Sequence, residues 1–412
     1  MSNIKPSGYI QPDYKPGKND VVCDFYIEPN HGLNVEKAAE HVAAESSIGT
    51  WTAVSTMKPQ IQKMGAKVFE IKGNNVKIAY PEELFEKGNV PQIMSSVGGN
   101  IFGMKHVKNI RLNDIHFTKD IVKSFRGPQV GVKGIRTLLK THERPLLGTI
   151  VKPKIGLDEK EHAKVAYDAW RGGLDIVKDD ENLSSMRFNK FEKRIKETLK
   201  LRDRAENETG EKKVYMPNIT AETEEMKKRA EFVMSNGGEY IMVDIVTLGW
   251  SGLQTIRECN MDWKMVMHAH RAGHAAFDRN PKHGISMLVI SRISRMIGMD
   301  QLHIGTASVG KMVQEDPAII LQNALNDEWH GLKRTFSVAS GGLEPGMLPE
   351  LVNKMGKDII AQFGGGCHGH PGGTVKGAMA IRQAAEAVMQ GIDLKNYAKD
   401  NNELAQALRK WS

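Results

Sequence analysis

From Leu146 onward the chain repeats one unit at intervals of about 20 to 40 residues: a short apolar run, a polar or glycine-rich ending, then a helical pattern. The runs are Leu146–Val151, Leu174–Val177, Val214–Ile219, Tyr240–Val246, Met265–Met267, Leu302–Ile304, Phe336–Val338 and Ile359–Phe363, eight in all. Strands buried on both faces read as continuous apolar runs, and strand–helix alternation makes the sheet parallel. Eight such units in about 270 residues are the content of a (β/α)8 TIM barrel. An open doubly wound sheet is the alternative on pattern alone.

The first ~125 residues have another texture. Period-two runs (Val21–Ile27, Ala66–Ile71, Asn75–Ala79) mix with helical patterns over Val35–Glu45 and around Pro91–Val97, the latter leading into Gly98-Gly99-Asn100. That mixture predicts a compact α+β unit. Pro128, with glycines at 127, 131 and 134, marks a boundary. The expected architecture is α/β: a smaller ferredoxin-like α+β domain over residues 1–127, then a barrel over 128–412.

Hydrophobic residues are 40% and charged residues 26%, enough for a sizeable core. The net charge of +8 suits an anionic partner, either a polyanion or a small phosphorylated substrate. Bases interleave with acids, as along Lys190–Arg204, and aromatics are only 6%. A nucleic-acid-binding protein, the rival from another class, needs a contiguous basic stripe or interleaved surface aromatics, so no nucleic-acid partner is expected. Nothing apolar reaches the 18 residues of a membrane span, and the first residues lack the apolar core of a secretory signal. Three scattered cysteines (Cys23, Cys259, Cys367) form no disulfide framework and no zinc spacing, which predicts a reducing cytoplasm.

In a barrel, catalytic groups sit at the C-terminal strand ends. Here the runs end in Lys152-Pro153-Lys154, Lys178-Asp179-Asp180-Glu181, His268-Ala269-His270-Arg271, His303 with Gly305-Thr306-Ala307-Ser308-Val309-Gly310-Lys311, Ser340-Gly341-Gly342, and Gly364-Gly365-Gly366. Residues i and i+2 share a strand face, so Lys178 and Asp180 point into one mouth with Glu181 just beyond. Asp and Glu at that spacing suit a hard cation, most naturally Mg²⁺. A lysine among the ligands makes sense if its amine becomes anionic by reacting with CO2 to form a carbamate; otherwise Lys178 and Asp180 are a buried ion pair. The glycine clusters present bare backbone N–H groups before helices and form either anion cradles or plain tight turns. Two cradles with Arg271, His303 and Lys311 suggest two phosphates on one substrate. His270 and His274 lack the glutamate of a zinc-protease helix, and Cys367-His368-Gly369-His370 has no matching ligand pair elsewhere in the chain.

Taken together, AAESSIGTWT, GGNIFG, GTIVKPKIG, GGLDIVKDDEN, HAHRAGHAAFDR, HIGTASVGK, VASGG and QFGGGCHGHPGG resemble the large subunit of ribulose-1,5-bisphosphate carboxylase/oxygenase (Rubisco) from about Ala43 to Val388. The resemblance implies a lyase that enolises ribulose 1,5-bisphosphate, adds CO2 or O2, and cleaves the adduct. It implies an N6-carboxylysine at Lys178 that binds Mg²⁺ with Asp180 and Glu181, activator CO2 supplying the carbamate. Lys152 and Lys154 correspond to one lysine for proton transfer and one near the metal. His270 corresponds to a proton-transfer histidine, and Lys311 to a mobile lysine that stabilises the new carboxylate. Arg271 and His303 correspond to one phosphate grip, with Ser340 on a substrate hydroxyl and Gly341 and Thr149 also against substrate. Thr50, Trp51, Gly342, Gly364 and Gly365 correspond to the other grip. Glu45, Thr50, Trp51 and Asn100 are implied to complete the site of a neighbouring subunit, in a homodimer that can assemble further.

The sixth loop, GTASVGK, is one residue longer than in plant-type chains, Met312-Val313-Gln314 follows Lys311, and the stretch to Ser340 is short. These departures, with the short tail to Ser412, resemble the archaeal form III branch, which implies no small subunit. The alternative within the fold is a Rubisco-like enolase or isomerase of sulfur salvage, whose members replace several groups that hold CO2 or the phosphates. Here Lys152, Lys311, Asn100, Glu45, His303 and both glycine clusters are present.

Overall fold

A computed structural model describes residues 8–49, 54–311 and 317–411. They form two compact units. The smaller comprises the chain up to Arg126 together with Gly273–Met296; the larger comprises Gly127–Ala272 and the chain from Ile297 onward.

In the smaller unit, strand Asp20–Pro29 lies between Val107–His116 and Asn75–Pro81, antiparallel to both, and Asn75–Pro81 pairs with Lys67–Lys72. Helix Val35–Glu45 follows the first strand, and its buried Ala38, Ala39, Val42 and Ala43 recur at helical spacing. Asn34 starts it by accepting from Lys37 N, and Asn89 starts helix Val90–Val97 in the same way. This is the βαββαβ order of a ferredoxin-like fold. Strand Val107–His116 is absent from the sequence expectation: Asn109, Arg111 and Asn113 interrupt its apolar residues, and its register shifts against Asp20–Pro29. Gly284–Ile285 adds a short parallel strand beside it.

The larger unit contains eight parallel strands: Leu146–Ile150, Ile176–Lys178, Val214–Met216, Tyr240–Asp244, Val266–His270, Gln301–His303, Phe336–Ser340 and Ile359–Phe363. We refer to them as the first to eighth barrel strands. Neighbours pair in sequence order, and the eighth also pairs with the first. The third and fourth strands meet through a bridge from Asn218, two residues past the third, to Met242 within the fourth, so the sheet closes and the open-sheet alternative falls. Each expected run contains a strand, with ends differing by a few residues. The second begins at Ile176 and ends on Lys178 itself.

Helix Gly131–Leu139 sets Val132, Ile135 and Leu139 against Leu146, Ile176, Val214, Tyr240, Val266 and Phe336, near the start of their strands. Each fully buried Leu, Ile or Val there contributes about 1.5–3 kcal/mol of transfer free energy. This apolar plug closes one end and leaves polar chemistry to the C-terminal strand ends. Among the described residues no helix is long and apolar enough to cross a membrane.

Candidate active site at the C-terminal end of the barrel

Lys178 ends the second strand with 1% exposure. Its Nζ donates to Asp179 O at 2.8 Å and lies 3.5 Å from Glu181 Oε2 and 3.6 Å from Met242 Sδ. Burial holds this amine below the usual lysine range, although Glu181, Asp180 and Asp244 pull the other way. The neutral amine is the nucleophilic form. The simple Lys178–Asp180 ion pair is not what forms: Asp180 Oδ2 accepts from Lys152 Nζ at 2.7 Å, and its Oδ1 from Asn182 N and Nδ2. Burial pushes Asp180 up, but Lys152 and Asn182 outweigh it and keep the carboxylate acidic. Glu181 behaves likewise, with Lys178 and His270 outweighing burial.

Asp179, between them, turns away from the mouth, as strand alternation requires. It meets Arg194 Nε at 3.2 Å, Tyr215 OH at 2.6 Å, Asn218 N at 3.0 Å and His162 Nε2 at 3.1 Å. Burial alone would raise its pKa, yet Arg194, His162 and Tyr215 hold it at about 2. The strand end is thus clamped from behind while Lys178 and Asp180 face forward.

Among the described residues, no three His, Cys, Asp or Glu side chains group as a metal site. Asp180 and Glu181 are two oxygen donors beside an amine. Such a set fits a hard cation once the amine carries an oxygen-bearing group, and not before.

Three imidazoles meet edge to face near this centre. His270 Nδ1 lies 3.2 Å from Asp244 Oδ1, and its Nε2 3.5 Å from Glu181 Oε2. The ring centroids of His270 and His303 are 4.7 Å apart. His303 Nε2 is 2.9 Å from His268 Nε2, whose Nδ1 is 2.8 Å from Gln301 Oε1. Burial, then the cation of Lys178, lowers His268 to about 3. Burial, then His270 and His268, likewise holds His303 well below the usual histidine range. Both are neutral hydrogen-bonding groups at physiological pH. Asp244 was not singled out from the sequence, and His268 stood in a quoted strand end without a role; their signal was their place on strands ending in chemistry.

Arg271 follows His270, partly buried, and Lys154 is exposed on the loop after the first strand. Beyond the sixth strand, Lys311 N approaches Gly342 O at 3.4 Å. A Cβ at Gly310 would meet Gly341 O at 2.0 Å, and one at Gly342 would meet Lys311 N at 3.0 Å. The loop carrying Lys311 is therefore seated on the turn after Ser340, where only glycine permits such closeness. Around Gly364–Gly366 the constraint differs. A Cβ at Gly366 would clash with Leu343 O and Glu344 Cα, while one at Gly365 meets nothing within 4 Å and one at Gly364 meets only Lys152 Cε at 3.7 Å. Packing does not demand glycine at 364 or 365, so bare backbone faces open space there, as an anion cradle needs.

Thr149 is fully buried, and its hydroxyl donates to Phe363 O at 2.6 Å. In the smaller unit, Asn100 Nδ2 donates to Glu45 Oε1 at 3.1 Å, bringing together two expected residues 55 positions apart. Both are exposed. Thr50 and Trp51 lie outside the described residues.

Residues 131–411 match the family model for the ribulose bisphosphate carboxylase large chain, catalytic domain, and residues 8–121 match that for its N-terminal domain. A ribulose bisphosphate carboxylase of Methanosarcina mazei is 52% identical, the match covering 98% of each chain. One of Pyrococcus furiosus is 48% identical over 98% of this chain and 97% of its own. Among solved structures, the sulfate complex of the octameric Rubisco of Pyrococcus horikoshii OT3 superposes with a TM-score of 0.94 at 47% identity, covering 98% of this chain and 96% of the other. The dimeric archaeal Rubisco of Hyperthermus butylicus gives 0.92 at 43% identity, covering 98% of each.

Proposed function

Because the chain belongs to the ribulose bisphosphate carboxylase large-chain family, in the company of archaeal members, we propose that it converts ribulose 1,5-bisphosphate and CO2 to 3-phosphoglycerate, with O2 as competing co-substrate. It is a carbon–carbon lyase. The observation that carries the reading is the buried, depressed-pKa Lys178 amine beside Glu181 and Asp180. The neutral amine attacks CO2, a C–N bond forms, one N–H proton leaves, and the carbamate becomes the missing oxygen donor. Mg²⁺ held by that carbamate, Asp180 and Glu181 would supply Lewis acidity toward the ketose oxygens, making C3–H easier to remove.

The chain's own groups supply the rest. Lys152, hydrogen-bonded to Asp180, is the group for proton transfer at the reacting carbons, with Lys154 near the metal. His270, held between Asp244 and Glu181, moves protons during enolisation and hydration. Arg271 and His303 grip one phosphate, and Ser340 a hydroxyl nearby. Gly342, Gly364 and Gly365 cradle the other through backbone N–H groups, a grip to which the family resemblance adds Thr50 and Trp51 from a neighbouring subunit. Lys311 closes over the site and faces the new carboxylate. Unpaired Cys23, Cys259 and Cys367 support a cytoplasmic setting. The sulfur-salvage enolase reading is not favoured.

The direct test is incubation with the bisphosphate, Mg²⁺ and labelled bicarbonate. Acid-stable label in 3-phosphoglycerate is expected; enolisation without label would shift the reading to the salvage-type alternative.

A homodimer with shared sites is part of this proposal, supported by the Glu45–Asn100 pair on the smaller unit's surface and by the dimeric archaeal neighbour. In a two-fold dimer each barrel then borrows these residues from its partner. A hybrid of one Lys178→Ala chain and one Glu45→Gln chain concentrates both lesions in one site and leaves the other intact. Each mutant homodimer should be nearly inactive, and the purified hybrid should regain up to about half the wild-type activity, one of two symmetric sites. Hybrids as dead as both parents would assign Glu45 to its own subunit.

A further inference from the structure

His368 lies behind the open glycines and has no part in the chemistry above. Its Nε2 is 2.9 Å from Ile150 O and 2.9 Å from Thr149 Oγ1; its Nδ1 is 3.0 Å from Thr374 Oγ1. These partners determine its tautomer. A carbonyl only accepts, so Nε2 carries the proton and donates to Ile150 O. The Thr149 hydroxyl proton goes to Phe363 O at 2.6 Å, so its lone pairs also face Nε2–H. Nδ1 is left bare and accepts from the Thr374 hydroxyl. Burial lowers this imidazole to about 4, so it stays neutral, donor on one side and acceptor on the other.

The bonds join three elements at one point. Thr149 and Ile150 close the first barrel strand, two residues before Lys152; Phe363 closes the eighth, one residue before Gly364; Thr374 opens helix Gly373–Gln390. Thr149 and Phe363 are already in register. Just past these strand ends, the stitch sets Lys152 against the glycines, with 3.7 Å from Lys152 Cε to a Cβ built on Gly364.

We infer that His368 is a positioning residue that holds the Gly364–Gly365 cradle in fixed register with Lys152, so that an anchored phosphate places the reacting carbons against the proton-transfer group. Binding energy at a remote phosphate is useful to catalysis only if anchor and reacting centre are rigidly connected. Thr149 thereby acts through the stitch from beneath the site. The inference rests on the reading of Gly364–Gly365 as a phosphate cradle.

Four variants separate the two. Gly365→Ala introduces a methyl that meets no protein atom within 4 Å, so a change in KM for the bisphosphate reports a ligand in that space. His368→Ala removes both sides of the stitch and should raise KM about tenfold or more and lower kcat, as the loss of two or three hydrogen bonds predicts. His368→Gln, with a donor and an acceptor on one amide, should recover most of the loss, which a mere packing role would not grant. If His368→Ala folds poorly, the near-isosteric Thr374→Val cuts the Nδ1 side alone and should raise KM about threefold, one hydrogen bond's worth. An unchanged KM in both the His368→Ala and Thr374→Val proteins, beside a raised KM in Gly365→Ala, overturns the inference alone. A normal KM in Gly365→Ala removes the cradle reading and the inference with it. Failure of His368→Gln to rescue overturns the positioning role.

Discussion

Lys178→Ala protein, incubated with Mg²⁺ and bicarbonate before assay, should show neither the slow rise in activity of an activating enzyme nor turnover at its end. We expect the loss of carboxylation to reach at least about four orders of magnitude, about 5.4 kcal/mol at 1.36 per decade. The expectation follows from donor counting. Asp180 and Glu181 remain, but without the amine no carbamate forms, and no other His, Cys, Asp or Glu among the described residues completes a metal-holding group. Metal-dependent C3 proton exchange should vanish too, since it needs the same site. In the wild type, pre-incubation with CO2 and Mg²⁺ should raise the initial rate. Full initial activity in enzyme stripped of CO2 would reject the carbamate, whatever the alanine variant does.

Lys311→Ala should separate two steps that Lys178→Ala removes together. Lys311 follows Gly310, whose close approach to Gly341 seats the loop on the turn after Ser340. Its ammonium is a compact charge on a flexible stem, suited to a loop that closes over the intermediate and excludes water. Exchange of the C3 proton with solvent should persist near the wild-type rate. Carboxylation should fall by about two to three orders of magnitude, roughly 2.7–4 kcal/mol, the range for losing one preorganised donor to a developing oxyanion. Measured by tritium exchange and by CO2 incorporation on one preparation, a loss under tenfold would show that Lys311 does not face the new carboxylate. Equal losses in both assays would place it in enolisation instead.

The barrel was legible because its strands are buried on both faces, so runs such as Leu146–Ile150 and Tyr240–Asp244 carry no charged residue until their chemistry-bearing ends. Strand Val107–His116 has one wet face and a register shift, which broke the alternation that would have revealed it. At the site, alternation separated Lys178 and Asp180 from Asp179, which bonds Arg194, Tyr215 and His162 instead. It could not foresee that Lys152, 28 residues earlier and just beyond the end of the adjacent strand, would take Asp180 as its partner. Nor could it give a role to Asp244, or to His268 and His368, which it met only as parts of HAHRAGHAAFDR and QFGGGCHGHPGG. Their partners Gln301, His270 and Thr149 are brought to them by strand pairing and by helix docking. Contacts at the ends of different strands are properties of the closed sheet, and a single sequence writes them only as isolated polar residues.

The smaller unit is discontinuous, and this bears on how the protein is made. Gly284–Ile285 covers the edge of Val107–His116, yet a ribosome reaches it long after that strand and most of the barrel's first five strands have emerged. During this interval an edge of a finished β-sheet stands bare, the feature that invites strand addition by other nascent chains. The polar residues along Val107–His116 that hid it in the sequence, Lys108 and Arg111 among them, are the kind that discourage such pairing. The chain crosses between units after Arg126, after Ala272 and after Met296. An expression fragment ending near residue 126 would therefore carry a sheet permanently one strand short.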